Sequence, residues 1–214
     1  MAARREALLQ GTANLDRHVE NIRNNFGLPV IVAVNRFGTD TPREIETLVK
    51  HMTDQGVQTI MAEHFAKGGA AGATALARAV VEAVDDRETP ELKFTYDDGD
   101  TLWKKIEKVA KKIYRASEVI ADSAVRKKID GFQADGYGHF PVCIAKTQYS
   151  FSTDPKLRGA PSGHVFKVRD AYLSAGAGFM VALCGDIMTM PGLPKRPAAD
   201  HIDIDAEGQV VGLS

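Results

Sequence analysis

The chain has 214 residues, 44% of them apolar, and a formal charge of −1 at pH 7: enough for one sizeable domain or two small ones, with no compositional sign of disorder. Without a cationic excess, non-specific nucleic-acid binding has no electrostatic driver. No apolar run reaches the ~18 residues of a membrane helix, and MAARREALLQ carries two arginines but neither the apolar core nor the cleavage site of a secretory leader. Cys143 and Cys184 each lie in an apolar, strand-like run, which predicts two buried, reduced thiols in a cytoplasmic protein rather than a disulfide or a metal pair.

In chain order, Leu8, Leu9, Leu15, Val19 and Ile22 recur at three- and four-residue steps and predict a helix to about Asn25, ended by Gly27. Residues 28–34 form an unbroken apolar run, the pattern of a strand buried on both faces. Thr39 or Asp40 can cap the next helix, with Pro42 in its first turn and Ile45, Leu48, Val49 and Met52 as its stripe. VQTIMAEHF supplies a second strand, and AKGGAAGATALARAVVEAV a glycine-rich loop opening into a helix. This alternation implies an α/β fold, with a parallel sheet and crossover helices over residues 1–92.

Residues 93–214 read as a smaller α+β part. Leu102, Ile106, Val109 and Ile113 mark an amphipathic helix with lysines on its other side, and a second helix is predicted from about 120 to 134. GYGHFPVCIAKTQYSFS, HVFKVRDAYL and GFMVALCG read as strands, and the proline-rich MTMPGLPKRPAAD as irregular chain. HIDIDAEGQVVGL is two alternating runs about a turn. Its acidic spacing resembles the start of a calcium loop, but the twelfth position is Ser214 rather than the required Glu, so a hairpin is predicted.

Two features point to chemistry. Phe37 and Phe65 lie just beyond the C-terminal ends of the predicted parallel strands, the edge where open α/β sheets bind ligands. Two rings held ~7 Å apart grip a planar heterocycle, each face at ~3.5 Å; alternatively each ring caps its own strand. The glycines after Lys67 offer backbone N–H groups to an anion, or else permit a tight helix–sheet contact. The order G-x-x-x-x-G-K-[ST] of a phosphate-binding loop occurs nowhere in the chain. The six histidines show no metal-ligand pairing, no metal site is predicted, and only His64 lies beside the candidate edge.

NLDRHVENIRNNFGLPVIVAVNRFGTDTPREI, FAKGGAAGATALA, KTQYSFSTDPKLRGAPSG and LSAGAGFMVALCGDIMTMPGLPKRPAADHIDIDAEGQVVGL closely resemble formate–tetrahydrofolate ligase, over nearly the whole chain. The resemblance implies an enzyme that uses ATP and Mg2+ to phosphorylate formate and then joins the formyl group to tetrahydrofolate. It implies that Phe37 and Phe65 sandwich the pterin, with Arg36, Lys67, Gly68 and Gly69 around them as substrate-binding residues. The family commonly has tryptophan where this chain has Phe65. The family's phosphate-binding loop and formyl-phosphate residues belong to an N-terminal portion that this chain does not resemble, so its catalytic residues are not identified here.

The expected partners are therefore tetrahydrofolate, that N-terminal portion and a second copy of the chain in a homo-oligomer, with no nucleic acid and no membrane. Two other readings remain open: a non-catalytic interaction or regulatory module built on a ligase-like remnant, and a free-standing small-molecule enzyme using Lys67 or His64.

Overall fold

The computed structural model describes residues 2–85, 92–185 and 195–212. Helix α1, Ala2–Glu20, runs into a wider π-type turn, Asn21–Asn25. Strand β1, Ile31–Asn35, and strand β2, Gln58–Ala62, pair in parallel, with Ile31 opposite Gln58 and Asn35 opposite Ala62. Between them lies helix α2, Pro42–Asp54, which packs on both α1 and β2. A one-turn helix α3, His64–Lys67, then leads into α4, Gly69–Asp85, which lies against β1 and β2. The small core here is Val19, Val32, Met52 and Val57, flanked by Leu15, Val30, Val34 and Leu48.

The second part contains α5, Leu102–Lys112; β3, Glu118–Ala121; α6, Ser123–Ala134; β4, Val142–Lys146; β5, Val165–Val168; β6, Asp170–Ser174; and β7, Phe179–Cys184. Strand β3 pairs with β5 in parallel, while β7 sits between a parallel β4 and an antiparallel β6. Parallel pairing is therefore not confined to the first part, and the chain as a whole is α/β. Leu102, Ile106, Ile129, Phe166, Val168 and Met180 lie at the centre of one large core. Two short strands, β8, Asp203–Ile204, and β9, Val210–Val211, form the C-terminal hairpin, turned at Gly208 with a φ of 78°.

Several expectations are corrected. Residues 118–121 are a strand rather than the start of a helix: Val119 and Ile120 are β-branched, and their backbone bonds go to β5. The second strand stops at Ala62, so Phe65 stands on α3 rather than at a strand end. In β1 only Val32 is buried, because among the described residues β2 is its one strand neighbour. Cys143 is exposed and Cys184 buried, both as free thiols.

Lys105, expected among solvated lysines, is fully buried, and its Nζ donates to the carbonyls of Gly138 at 2.9 Å and Phe140 at 3.0 Å. Those two bonds satisfy much of the ammonium's demand inside the core. Of the proline-rich segment, residues 186–194 lie outside the described residues; beyond them, Ala198–Asp200 form a 3₁₀ turn. Among the described residues no helix is long and apolar enough to cross a membrane.

Candidate functional site

The edge carrying Phe37 is built by a turn and a cap written into FGTDTPRE. Beyond β1 the ladder makes one more bond, Arg36 N–H to the Ala62 carbonyl at 3.3 Å. The chain then turns: the Asp40 N–H donates to the Phe37 carbonyl at 3.1 Å, and the Phe37 N–H to Asp40 Oδ2 at 2.8 Å. The cap is Thr41, not Thr39 or Asp40 as the pattern predicts, because Asp40 is taken up by the turn: Thr41 and Glu44 close a reciprocal capping box at the start of α2, a device that stabilises a helix start by ~1 kcal/mol. The side chains of Asp40, Thr41 and Glu44 are all engaged in the turn and its cap. The Phe37 ring, 63% exposed, does not serve the core.

The Phe65 side is built by glycines. Gly68 holds φ 77° and ψ 166°, a backbone region that is essentially glycine's alone. Gly72 lies so close to the preceding turn that a Cβ there would meet the His64 backbone at 2.4 Å, and its carbonyl accepts from the Glu63 N–H at 3.0 Å. Of the two readings left open for this loop, the tight contact is real at Gly72. Gly69, by contrast, faces open space. Phe65 is 94% exposed.

Register places the two rings at one end of the sheet. Since Asn35 lies opposite Ala62, Phe37 stands two residues and Phe65 three residues past the last paired rung. Paired strands are only ~4.8 Å apart; the turn after β1 and the helical turn after β2 take the two chains out of the ladder.

Between them Glu63 bridges two cations, accepting from Arg36 Nη1 at 3.1 Å and from Lys67 Nζ at 2.5 Å. The Lys67 hydrogen bond, with a smaller contribution from Arg36, holds the Glu63 carboxyl below the usual carboxylate range. Sequence reasoning found Arg36 and Lys67 but missed Glu63, although its i,i+4 spacing to Lys67 was a legible signal.

A cleft of about 340 Å³ opens beside this edge, lined by Leu8 of α1, Val34 of β1, Thr39, Asp40, and Glu44, Ile45 and Leu48 of α2. It lies on the helical side of the Phe37 turn, and its residues were assigned only core and capping roles by pattern. The arrangement offers two exposed aromatic residues, a pair of cations bridged by one acid with a single positive charge left over, and an adjoining part-apolar cleft. That set suits a flat, partly polar organic molecule.

A family model described as formate–tetrahydrofolate ligase matches residues 2–214. The chain belongs to that family. It is 53% identical over 207 residues to formate–tetrahydrofolate ligase of Methylococcus capsulatus and 56% identical over 207 residues to that of Allorhizobium ampelinum; both alignments cover 97% of this chain. A third relative with the same name, from Methylorubrum populi, is 54% identical over 209 residues. The chain spans 37% of the length of each of these three ligases. Membership in the ligase family gives the exposed edge its context: Phe37, Phe65, Arg36 and Lys67 all lie in the matched region.

Proposed function

We propose that this chain is the folate-binding, C-terminal portion of an ATP-dependent formate–tetrahydrofolate ligase that makes 10-formyltetrahydrofolate, acting with the remaining length typical of the family. Supporting this is the pair of phenylalanine rings left in solvent at the C-terminal end of the β1–β2 pair, in a chain of this family. An exposed ring costs a protein the stabilisation that burial would bring, roughly 1.5–3 kcal/mol, and two at one sheet end favour a ligand as their partner.

In this reading residues 1–92 form the folate-carrying unit, a parallel sheet with crossover helices, and residues 93–214 its support. Phe37 and Phe65 stack on the pterin. Arg36 and Lys67, tethered by Glu63, meet its polar rim, and Gly68 and Gly69 keep side chains out of its path. Holding the ring sets the folate amine in place, which is the chain's contribution to the transfer.

ATP with Mg2+ would supply the activation of formate as a mixed anhydride. The G-x-x-x-x-G-K-[ST] order of a phosphate-binding loop does not occur in the sequence, so we assign both to the rest of the enzyme. The chain is accordingly proposed to be cytoplasmic and to assemble with that portion and with copies of itself. By itself it should make no formyltetrahydrofolate, with activity regained on mixing with the missing portion.

Isothermal titration of tetrahydrofolate into the reassembled enzyme tests the site, with thermal melting alongside. Base–aromatic stacking is worth ~1–3 kcal/mol at nucleic-acid sites, so Phe37→Ala should weaken binding about five- to a hundred-fold while leaving the melt unchanged. Unaltered folate affinity in a folded Phe37→Ala, Phe65→Ala double variant would refute the assignment. Complete failure of the folded assembly to bind folate would favour a non-catalytic interaction module.

A further inference from the structure

The KTQYSFS segment has no part in the folate reading, yet it builds a densely hydrogen-bonded loop. Ser150, Phe151 and Ser152 are all buried. The Ser150 Oγ accepts from the Ser152 N–H at 2.9 Å, and the Ser152 Oγ accepts from the Asp154 N–H at 3.0 Å and donates to the Asp154 carbonyl at 2.8 Å. On the far side, Gly185 passes so close that a Cβ would meet the Thr153 carbonyl oxygen at 2.8 Å. This loop and α1 border a second cleft, open to solvent and about 270 Å³ in volume, whose polar lining is Asn14 and His18 from α1, Lys146 from the end of β4, and Thr147, Gln148 and Ser150. Tyr114, Ile144 and Phe151 complete its wall.

Charge and hydrogen bonding in this cavity are one-sided. It is lined by a lysine and a histidine and by no carboxylate. Lys146 Nζ donates to the Thr147 carbonyl at 2.9 Å and to the Ser150 carbonyl, and stands 4.9 Å from the centre of the Tyr114 ring. An ammonium has three donors, so the carbonyls fix it in place and leave one.

Next to the cavity, Arg17 is buried, with Nη2 bound to the Ala160 carbonyl at 3.2 Å and to Ser162 Oγ at 3.3 Å, Nε 3.9 Å from the Glu20 carboxylate, and Nη1 without a partner. Both ring nitrogens of His164 are likewise buried without a partner, as is Oδ1 of Asn14, an amide whose half-turn would present its NH2 instead. Burial lowers the pKa of Lys146; burial and then Lys146 lower those of His18 and His164. These groups disfavour one another's positive charge, and an anion among them would reverse that.

We infer that the cavity between α1 and the KTQYSFS loop is an oxyanion site, taking a carboxylate or phosphate group on Lys146, His18 and Asn14, with Gln148 at its rim. Its volume lies just below the ~300–1,000 Å³ of drug-sized pockets, which fits a small oxyanion or the anionic end of a larger molecule. The inference does not depend on folate binding at Phe37 and Phe65, because it uses none of those residues.

The test titrates inorganic phosphate and, separately, acetate into the full chain at ~150 mM ionic strength, where diffuse surface attraction is screened beyond ~8 Å. Saturable binding of phosphate alone assigns the site to phosphate groups, and of acetate alone to carboxylates; binding of both assigns it to either. Gln148→Glu places a like charge at an exposed rim position and should weaken binding at least tenfold with an unchanged melting curve. Lys146→Met should abolish binding, and Lys146→Arg should retain part of it. The inference is overturned by the absence of saturable binding of either anion, or by equal binding in wild type and in folded Gln148→Glu.

Discussion

Strands β1 and β7 have nearly the same apolar character, IVAVN and FMVALC, and opposite fates. In β7 Met180, Val181, Ala182 and Cys184 are all buried, because β4 and β6 flank the strand and α5 and α6 belong to the same core. In β1 only Val32 is buried. Burial is thus set by a strand's neighbours, not by its own residues. A two-stranded sheet has little stability of its own, and β1–β2 depends on α1, α2 and α4. The first region also leaves Phe37, Phe65, Val81 and Val84 more than half exposed, whereas the second region buries Phe166 completely. The second region also leaves Phe94, Tyr149, Ile204 and Val210 more than half exposed, so what separates the two is the size of the core each builds.

The largest expected effect falls in the interior. Phe166→Ala should destabilise the chain by about 3–5 kcal/mol, and Val32→Ala by only ~1–2 kcal/mol from the methyls it removes. Guanidinium unfolding of both variants measures the contrast; equal losses would break it.

Gly72→Ala should come next, at about 1–3 kcal/mol, since the new Cβ must displace the His64 backbone. Hydrogen exchange should show the loss at the Glu63 amide, which is bonded to Gly72, and not in β7. Loss of protection at Glu63 and in β7 at once would mean that the two regions unfold as a unit.

The two thiols, both in the second region, carry the contrast between a flanked strand and an edge strand into a single sheet. Burial pushes the Cys184 pKa up to about 12, so maleimide at pH 8 should label Cys143 alone in the folded chain and both thiols in urea. Because the folded value lies above the unfolded one, Cys184 contributes stability that is complete below ~8.5 and is lost as pH rises from there through about 12. A urea midpoint that does not fall between pH 8.5 and 10, in comparison with Cys184→Ala, would contradict this.

The smallest effect should be at Phe65. With 94% of the residue in solvent, Phe65→Ser should change unfolding free energy by no more than ~0.5 kcal/mol. A larger loss would make that ring part of the fold.

Local chemistry was legible in the sequence wherever a device is complete within a few residues. The turn and capping box after β1 need only Asp40, Thr41 and Glu44, so the pattern located the helix start, though it placed the cap one or two residues early; the α5 stripe follows from helical spacing that puts Leu102 and Ile106 on one side. The C-terminal hairpin likewise needs only its own alternation and Gly208. The positions of Phe37 and Arg36 followed from the end of an apolar run. What pattern could not supply was the identity of neighbours distant in sequence. Lys105 has a lysine's helical spacing, but its bonds lie on Gly138 and Phe140, more than thirty residues away. Residues 118–121 are a strand because β5 pairs with them, and Cys143 and Cys184 differ because only one lies in a strand flanked on both sides. The cavity beside Lys146 joins residues of α1 to a loop beginning more than a hundred residues later. Backbone geometry and short-range hydrogen bonds are properties of a segment; burial, charge compensation and enclosure depend on what the fold brings alongside it, and only the tertiary structure decided those.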